Sequence, residues 1–335
     1  MTEEWNEELE NKILRKSRFT LTWQIVRILI IVYVLYAMYM LALNILFSRS
    51  DSGAKHAYYS NLAVEWTTPN TYAAFPTLVD YQVSKFGTQT FSYDVLKKIG
   101  DESKKIGEAQ VTKRIWNDFS SIRLRTLDNA RWSPYGFSLP TDPRTDKKLS
   151  GERSDQVWTT LEKLPEGTVA ELSFSTMDFM SAEQLMALLE PYELKVLWLP
   201  LYTGEFENYD PQGYVGGGNS LIPNGGIGLT WGREHSADFL SGGSIGLSHE
   251  MLMENQSMML KNMEELLEES DSYRENFLGL SQLEEKYDYL KKEGFTVYGA
   301  VVTGPTKELL KLQEADFLWG EHLGEIEWWN WYPRN

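Results

Sequence analysis

The feature that most constrains this chain is an apolar run near its amino end. Residues 28–47 read ILIIVYVLYAMYMLALNILF, in which Asn44 is the one strongly polar residue. A helix rises about 1.5 Å per residue, so this run spans about 30 Å, the thickness of a bilayer's hydrocarbon core. We expect residues 28–47 to form a transmembrane helix that is retained as a signal anchor. A cleaved signal peptide is the alternative, but its apolar region usually covers only about 7 to 15 residues.

Basic residues in front of this run predict its orientation. Lys12, Arg15, Lys16 and Arg18 precede the run, with Arg27 at its edge, and few basic residues follow it closely. Positively charged segments resist translocation, so we expect the amino end in the cytoplasm. The remainder of the chain is then extracytoplasmic, and the protein crosses the cell membrane once.

Composition excludes several classes of function. The chain has 335 residues, a formal net charge of −16, and no cysteine. An acidic surface repels the phosphates of nucleic acids, so nucleic acid is not an expected partner. Without cysteine the chain forms no disulfide, thiolate nucleophile or Cys-ligated zinc site. Aromatic residues make up 13% of the chain, which favours a folded region over disorder.

The cytoplasmic segment, residues 1–27, carries a candidate binding stripe. Trp5, Leu9 and Ile13 recur every four residues and therefore share one face of a helix. Fewer than about 40 residues rarely fold alone, so we expect a lone amphipathic helix rather than a domain. Such a helix either docks on a cytoplasmic partner or lies on the membrane surface.

Beyond the span, shifts in composition predict four segments. The small polar stretch SRSDSGAKHA is typical of a tether, and later pieces such as NLAVEWTT and EAQVTKRIW favour strands. The stretch SPYGFSLPTDPRTDKKLSGERS is rich in proline and polar residues, as linkers are. We therefore expect a tether (48–57), a small β-rich module (58–132), a linker (133–164) and an α+β domain (165–332).

The α+β domain is expected to contain two βαβ halves. In residues 168–202 a strand leads into a helix that Ser181 and Gln184 start as a capping box, and a second strand follows. Residues 295–329 repeat the order, and the intervening insertion is glycine-rich at first and helical later. The predicted fold is α+β, a split βαβ (ferredoxin-like) sandwich with a long insertion. Its predicted core contains Val169, Leu172, Leu185, Leu188, Val196, Trp198, Val297, Val301, Leu309 and Leu312.

Motifs of catalysis or cofactor binding fail on spacing. Gly216–Gly218 lacks the Lys-Ser/Thr pair of a phosphate-binding loop, and Gly226 with Gly228 lacks the third glycine of a dinucleotide site. His249 and Glu250 begin a zinc-protease motif, but Met253 stands where the second histidine is needed. We therefore nominate no catalytic, cofactor-binding or metal-ligating residue and expect the protein not to be an enzyme.

Three tryptophans near the carboxyl end suggest an exposed aromatic surface. On a strand, Trp329 and Trp331 lie on one face and Trp328 on the other, so at least one of them is expected to face solvent. Core packing is the alternative. An exposed indole surface would serve as an interface or a ligand platform.

The order of these segments resembles a known family. The stretch YGAVVTGPTKELLKLQ (298–313) followed by GEIEWWNW (324–331) resembles the C-terminal domain of sigma factor regulators, membrane-bound regulators and anti-sigma factors of Gram-positive bacteria. TVAELSFSTMDFMSAEQLMALL and LKVLWLPLYTG, within 168–204, are similar to the first half of that domain. The basic segment NKILRKSRF before the span resembles the matching N-terminal family.

This resemblance implies a membrane-anchored regulator of an alternative, extracytoplasmic-function sigma factor, which senses an envelope signal through its outer domain. Because about 27 residues precede the span, the Trp5, Leu9 and Ile13 stripe would bind the sigma factor as a single helix. Otherwise a companion membrane regulator carries the inhibitory part. The alternative function is an anchored extracytoplasmic binding module for an envelope component or partner protein.

Overall fold

The computed structural model describes residues 7–49, 52–73, 82–114, 119–127 and 135–332. The chain forms two compact units: the first runs to Ser52 and also includes Lys85–Gly87, and the second comprises the rest of the chain. The first unit is built on one helix, α1, which spans Glu7–Arg49. The residues of α1 include neither glycine nor proline, so nothing interrupts its backbone hydrogen bonds.

Helix α1 contains the predicted span and extends beyond it at both ends. Within its segment Glu10–Leu43, an 18-residue stretch has a mean hydropathy of 2.3, and none of that stretch is buried within the structure. Among the helices that the structure describes, α1 alone is long and apolar enough to cross a membrane. The basic residues before residue 28 belong to this same helix.

The second unit begins with a helix where a tether and a strand were predicted. Helix α2 spans Ser52–Thr67, so the tether prediction is wrong for residues 52–57 and the strand prediction is wrong for NLAVEWTT. The side chains that α2 buries in the core are Ala57, Tyr58, Tyr59, Leu62, Ala63 and Trp66. They recur every three or four residues, so packing of one helical face outweighs the local preference for strand or coil.

A small antiparallel sheet follows α2, as predicted for part of this region. Its strands are β1 (Tyr72–Ala73), β2 (Gln82–Val83), β3 (Gln89–Ile99), β4 (Glu102–Lys113) and β5 (Ser121–Thr126). They pair in the order β1-β3-β4-β5, and β2 also pairs with β3. Side chains along β3 alternate between buried and more exposed positions, so one face of this sheet packs on the core.

Residues 133–164 were predicted to be a linker, and their described part is instead folded. It contains the short hairpin β6 (Thr141–Asp142) and β7 (Lys147–Lys148), followed by helix α3 (Asp155–Lys163). Trp158 and Leu161 of α3 are buried in the main core. The polar and proline-rich composition concealed these few apolar anchors, because each stands among polar neighbours.

The first βαβ half and the insertion follow α3. The half comprises β8 (Thr168–Ser181), α4 (Ala182–Leu189) and β9 (Lys195–Tyr202), and the predicted capping box of Ser181 and Gln184 starts α4. The insertion contains the hairpin β10 (Tyr214–Gly217) and β11 (Ser220–Pro223), strand β12 (Gly228–Leu229), and the hairpin β13 (Gly232–His235) and β14 (Gly242–Ile245). Helix α5 (Leu252–Leu267), a π-helical segment (Ser272–Phe277) and helix α6 (Leu283–Glu293) complete it.

The second half returns to the same sheet. It comprises β15 (Thr296–Pro305), α7 (Thr306–Lys311), a 3-10 turn (Leu312–Glu314) and β16 (Leu318–Trp328). The strands pair in the order β12-β9-β15-β8-β16, and all neighbours are antiparallel. Strands from the two halves alternate, so both halves share one sheet. The mixed α+β class is therefore confirmed.

Most of the predicted core residues are buried on one side of this sheet or the other. Leu172, Leu185, Val196, Leu309 and Leu312 lie in the main core cluster, as does Val297. Trp198 and Val301 pack in a second cluster, and Val169 packs with Ile99 and Trp331. The prediction is wrong for Leu188, which is 43% exposed because it lies on the solvent side of α4.

A buried ion pair joins the small sheet to the larger one. Lys97 Nζ of β3 lies 2.6 Å from Glu171 Oε2 of β8, and both side chains are at most 5% exposed. Asn70 Nδ2 donates to the other carboxylate oxygen of Glu171 at 2.7 Å. Thr303 Oγ1 of β15 accepts a hydrogen bond from the Gly100 amide at 2.8 Å. The predicted module and the predicted domain are therefore parts of one compact unit.

The packing of α7 generates a test of this core. Leu309→Ala should lower the free energy of unfolding by about 2–5 kcal/mol, because it leaves a cavity where the side chain is fully buried. Leu188→Ala, on the exposed face of α4, is the matched control and should cost less than about 0.5 kcal/mol. Urea unfolding of the detergent-solubilised chain measures both, and equal losses would place the α7 face in solvent.

Candidate functional site

The predicted cytoplasmic stripe lies on α1 as far as the structure describes it. Ile13 is 60% exposed on this helix, and Leu9 belongs to the same helix. Trp5 lies outside the described residues. Helical structure from Glu7 onward puts positions 9 and 13 one turn apart on one face.

The predicted aromatic surface is smaller than expected. Trp328 and Trp329 are 77% and 54% exposed, and Tyr332 beside them is 76% exposed. Trp331 is only 3% exposed, and its indole Nε1 donates to Glu193 Oε1 at 3.0 Å. The alternation that was expected to expose it ends with β16 at Trp328, so the chain turns Trp331 inward. Trp331 is therefore a core residue.

A site that was not predicted from the sequence surrounds α2. Helix α5, the β13–β14 hairpin and the π-helical segment hold this helix, and we call these three elements the clasp. Polar contacts join side chains of α2 to these elements and join the elements to one another. Because α1 ends at Arg49 and α2 begins at Ser52, the clasp holds the helix that follows the apolar one in the chain.

The central contact of the clasp is a buried ion pair. Arg233 of β13 donates two hydrogen bonds to Glu65 of α2, Nη2 to Oε1 at 2.6 Å and Nε to Oε2 at 3.1 Å. The two side chains are 6% and 1% exposed. Burial raises the pKa of the Glu65 carboxyl, and the guanidinium opposes that rise. Paired charges of this kind are stable in an interior only while both partners remain in place.

A polar network extends the ion pair along α2. Tyr58 Oη donates to Asn262 Oδ1 of α5 at 2.7 Å, and Asn262 Nδ2 donates to the Arg233 carbonyl oxygen at 2.8 Å. Glu265 of α5 accepts from Tyr59 Oη at 3.1 Å and lies 2.6 Å from His235 Nε2. These bonds connect α2, α5 and the hairpin to one another. Sliding of α2 by one turn would break the hydrogen bonds of Tyr58 and Tyr59.

The first residues of α2 contact the π-helical segment and the loop that follows α5. His56 Nδ1 lies 2.8 Å from Tyr273 Oη, and Lys55 forms a salt bridge with Glu269. Burial, and then the ammonium groups of Lys113 and Lys55, lower the pKa of His56 to about 3. The imidazole is therefore neutral at physiological pH. The π-helical segment places Tyr273 beside it, and such segments often mark functional positions.

Glu65 carried the one signal from which the site could have been found. It stands in the stretch LAVEW, where its neighbours are residue types that proteins bury. A lone carboxylate in such a setting calls for a cationic partner. The partner, Arg233, is 168 residues away in the sequence, so local pattern alone does not identify it.

Comparisons with known proteins agree with the resemblance seen in the sequence. Residues 11–104 match the family described as Sigma factor regulator N-terminal, and residues 161–325 match Sigma factor regulator C-terminal. The chain is also 24% identical, over 288 residues, to the probable anti-sigma-M factor YhdL of Bacillus subtilis (strain 168), covering 84% of this chain and 72% of that relative. No solved structure matches.

The structure combines one helix that is long and apolar enough to cross a membrane with a separate folded unit, the architecture of a membrane-anchored protein. The two family matches lie in order and cover most of the chain. The chain therefore belongs to the sigma factor regulator family, and it is a membrane-anchored regulator of a sigma factor. That family is regulatory rather than enzymatic.

The clasp predicts a large stability effect at Glu65. Glu65→Gln should lower the free energy of unfolding by about 3–5 kcal/mol, because it leaves the Arg233 charge buried without its partner. Asp178→Asn is the matched control: it breaks the Lys148–Asp178 pair, whose side chains are 74% and 61% exposed, and should cost less than about 1 kcal/mol. Denaturant titrations of the detergent-solubilised chain compare the two, and a loss at Glu65 no larger than the control would contradict the buried pair.

Proposed function

We propose that the chain senses an envelope signal with its second unit, outside the cytoplasm, and passes it through α1 to an extracytoplasmic-function sigma factor. The observation that carries this proposal is the clasp on α2. A folded unit holds, by a buried ion pair, the helix that immediately follows the apolar helix. A change in the clasp therefore acts on α2, and through the short connection on α1.

The orientation in this proposal is supported by charge. Lys12, Arg15, Lys16 and Arg18 precede the apolar part of α1, and basic residues favour the cytoplasmic side. The second unit is too large and too polar to share the membrane with α1. It therefore occupies the extracytoplasmic side, where an envelope component reaches it.

At the cytoplasmic end, the Trp5, Leu9 and Ile13 stripe contacts either the sigma factor or a companion membrane regulator. Ile13 is exposed on a helix, which supports a stripe that a binding partner can cover. An isolated amphipathic helix binds by inserting such anchors into an apolar groove. The name of the relative, a probable anti-sigma-M factor, favours inhibition of the sigma factor as the outcome.

We infer that the two βαβ halves form a split βαβ (ferredoxin-like) sandwich. The strand order β9-β15-β8-β16 supports it, as do the buried leucines of α4 and α7 in the same core cluster. The long insertion then adds the clasp to this sandwich, and the small sheet packs beside it.

Topology is tested with single cysteines, because the chain contains none of its own. In intact protoplasts a membrane-impermeant maleimide should label the Lys147→Cys variant and leave the Lys12→Cys variant unlabelled. After detergent permeabilisation both should be labelled, which controls for reactivity. Labelling of position 12 alone in intact protoplasts would reverse the orientation and contradict the sensing role.

The regulatory role is tested by transcription. Changing Trp5, Leu9 and Ile13 together to Ala should raise transcription of one sigma factor's promoters several-fold, because the stripe no longer reaches its partner. Lys12→Ala, beside the stripe, is the control and should change little. RNA sequencing measures the output, and immunoblots of membranes check that protein level and insertion are unaltered.

If no promoter responds and a photo-crosslinker at position 5 captures no cytoplasmic protein, the mechanism fails. The anchored extracytoplasmic binding module then becomes the better account. Its supporting observation is the same folded second unit, which requires no cytoplasmic partner to bind an envelope component.

A further inference from the structure

The second unit contains an open cleft of about 960 Å³, a size typical of small-molecule sites. It lies where the end of α4, the start of β9 and the loop before α5 meet. The floor is apolar and consists of Met186, Leu189, Val196, Leu197 and Leu247, all at most 9% exposed. Its walls include Lys98 of β3, Lys195 of β9 and Trp231, which precedes β13.

The two lysines give one part of the cleft a positive charge. Lys195 is paired with Asp101, and its ammonium lies 4.6 Å from the centre of the Trp331 ring. Among the residues that the structure describes, Lys98 has no carboxylate within salt-bridge distance, and its ammonium lies 5.2 Å from the centre of the Trp231 ring. Lys98 is half-buried, and burial followed by the charge of Lys195 lowers its pKa, although Asp101 opposes this. An anion beside Lys98 would relieve that cost.

The acidic residues that line the cleft limit the charge of a ligand. Glu190 and Glu250 are both exposed, and they lie on the rim with His249. Exposed carboxylates are screened over short distances, so they tolerate one small anion bound at the lysines. They would repel a ligand that carries several negative charges along its length.

Trp231 connects the cleft to the clasp. Its ring stacks on Tyr72 with centroids 5.3 Å apart and an angle of 17° between the planes. The Arg233 guanidinium lies 5.9 Å from the centre of the same ring, and Arg233 is the residue that binds Glu65 of α2. A ligand on Trp231 would therefore contact a side chain next to the buried ion pair.

We propose that this cleft binds a ligand with a single anionic group on an apolar or aromatic body. The anion lies beside Lys98 and Lys195, and the body lies on the apolar floor and against Trp231, which lines the cleft. This inference rests on the proposed sensing function and names the chemical class of its signal. Occupancy of the cleft then biases the position of Trp231, and through Arg233 the clasp on α2.

The test uses four soluble probes that share a phenyl ring. Phenylacetate and phenyl methyl phosphate carry one negative charge, phenylacetamide is neutral, and phenethylamine is positive. Saturation-transfer NMR on the full chain in nanodiscs, with empty nanodiscs subtracted, reports binding of each. We expect binding of at least one anion, and the two anions distinguish a carboxylate from a phosphate ester. Equal or tighter binding of phenethylamine would overturn the proposal.

Variants locate the binding. Lys98→Met should weaken the anion about tenfold, since a charge-assisted hydrogen bond is lost. Lys147→Met, which removes an exposed lysine elsewhere, is the matched control. Gly246→Phe should also block binding, because a Cβ at this cleft-lining position meets no atom within 4 Å, so a larger side chain has room to enter the cleft without changing its charge. Thermal unfolding checks that each variant is folded, and unchanged affinity in both cleft variants would overturn the proposal.

The proposal and the function on which it rests fail separately. If no anion binds but the stripe variant still derepresses transcription, the regulator stands and the cleft is not its sensor. If an anion binds through Lys98 but no promoter responds to the stripe variant, the ligand class stands and belongs to an extracytoplasmic binding module.

Discussion

The bidentate pair between Glu65 and Arg233 is the interaction on which the functional part of this structure depends. Taking a carboxylate and a guanidinium out of water costs several kcal/mol for each ion, and their attraction offsets this only when the geometry is good. Two hydrogen bonds of 2.6 Å and 3.1 Å meet that requirement. The pair therefore fixes α2 in one axial position and one rotation against β13, in a way that apolar packing alone would not.

Lys97 and Glu171 form a second buried ion pair, which joins the two sheets of the second unit. Asn70 occupies the remaining carboxylate oxygen, so the pair is satisfied as well as buried. Since Lys97 belongs to the small sheet and Glu171 to the larger one, a shift of one sheet against the other would leave a buried charge without its partner. Composition alone suggests a module, a linker and a domain in series. In the structure, their described parts belong to one compact unit.

The parts that the sequence predicts well are those whose signals are local. The capping box at Ser181, the strand and helix periods of both βαβ halves, and the apolar run of α1 each lie within about 20 residues or fewer, the scale on which periodicity operates. The structure contains all of them, although α1 begins at Glu7, well before the apolar run. Resemblance to the family then placed these pieces in one order, and the matched ranges agree with it.

The parts that the sequence does not predict depend on distant partners. Helix α2 has small and β-branched residues, and its helical state follows from an apolar face that α5 and the sheets cover. Trp331 was expected on a strand face, but β16 ends three residues earlier. Its indole N–H instead donates a hydrogen bond to the Glu193 carboxylate. The clasp joins residues 168 positions apart, so no window on the sequence contains both halves of it.

The energy of the clasp limits how a signal can use it. Full release of α2 requires breaking the Glu65–Arg233 pair, which costs about 3–5 kcal/mol when one partner is left buried. Switching a two-state equilibrium from about 1:99 to 99:1 needs a ligand to favour one state by about 5.5 kcal/mol. If binding of a small ligand must also offset the cost of breaking this pair, little of its binding free energy remains to shift the equilibrium. Movement of α2 together with its clasp keeps the pair intact, and it is therefore the less costly way for a change in the second unit to reach α1.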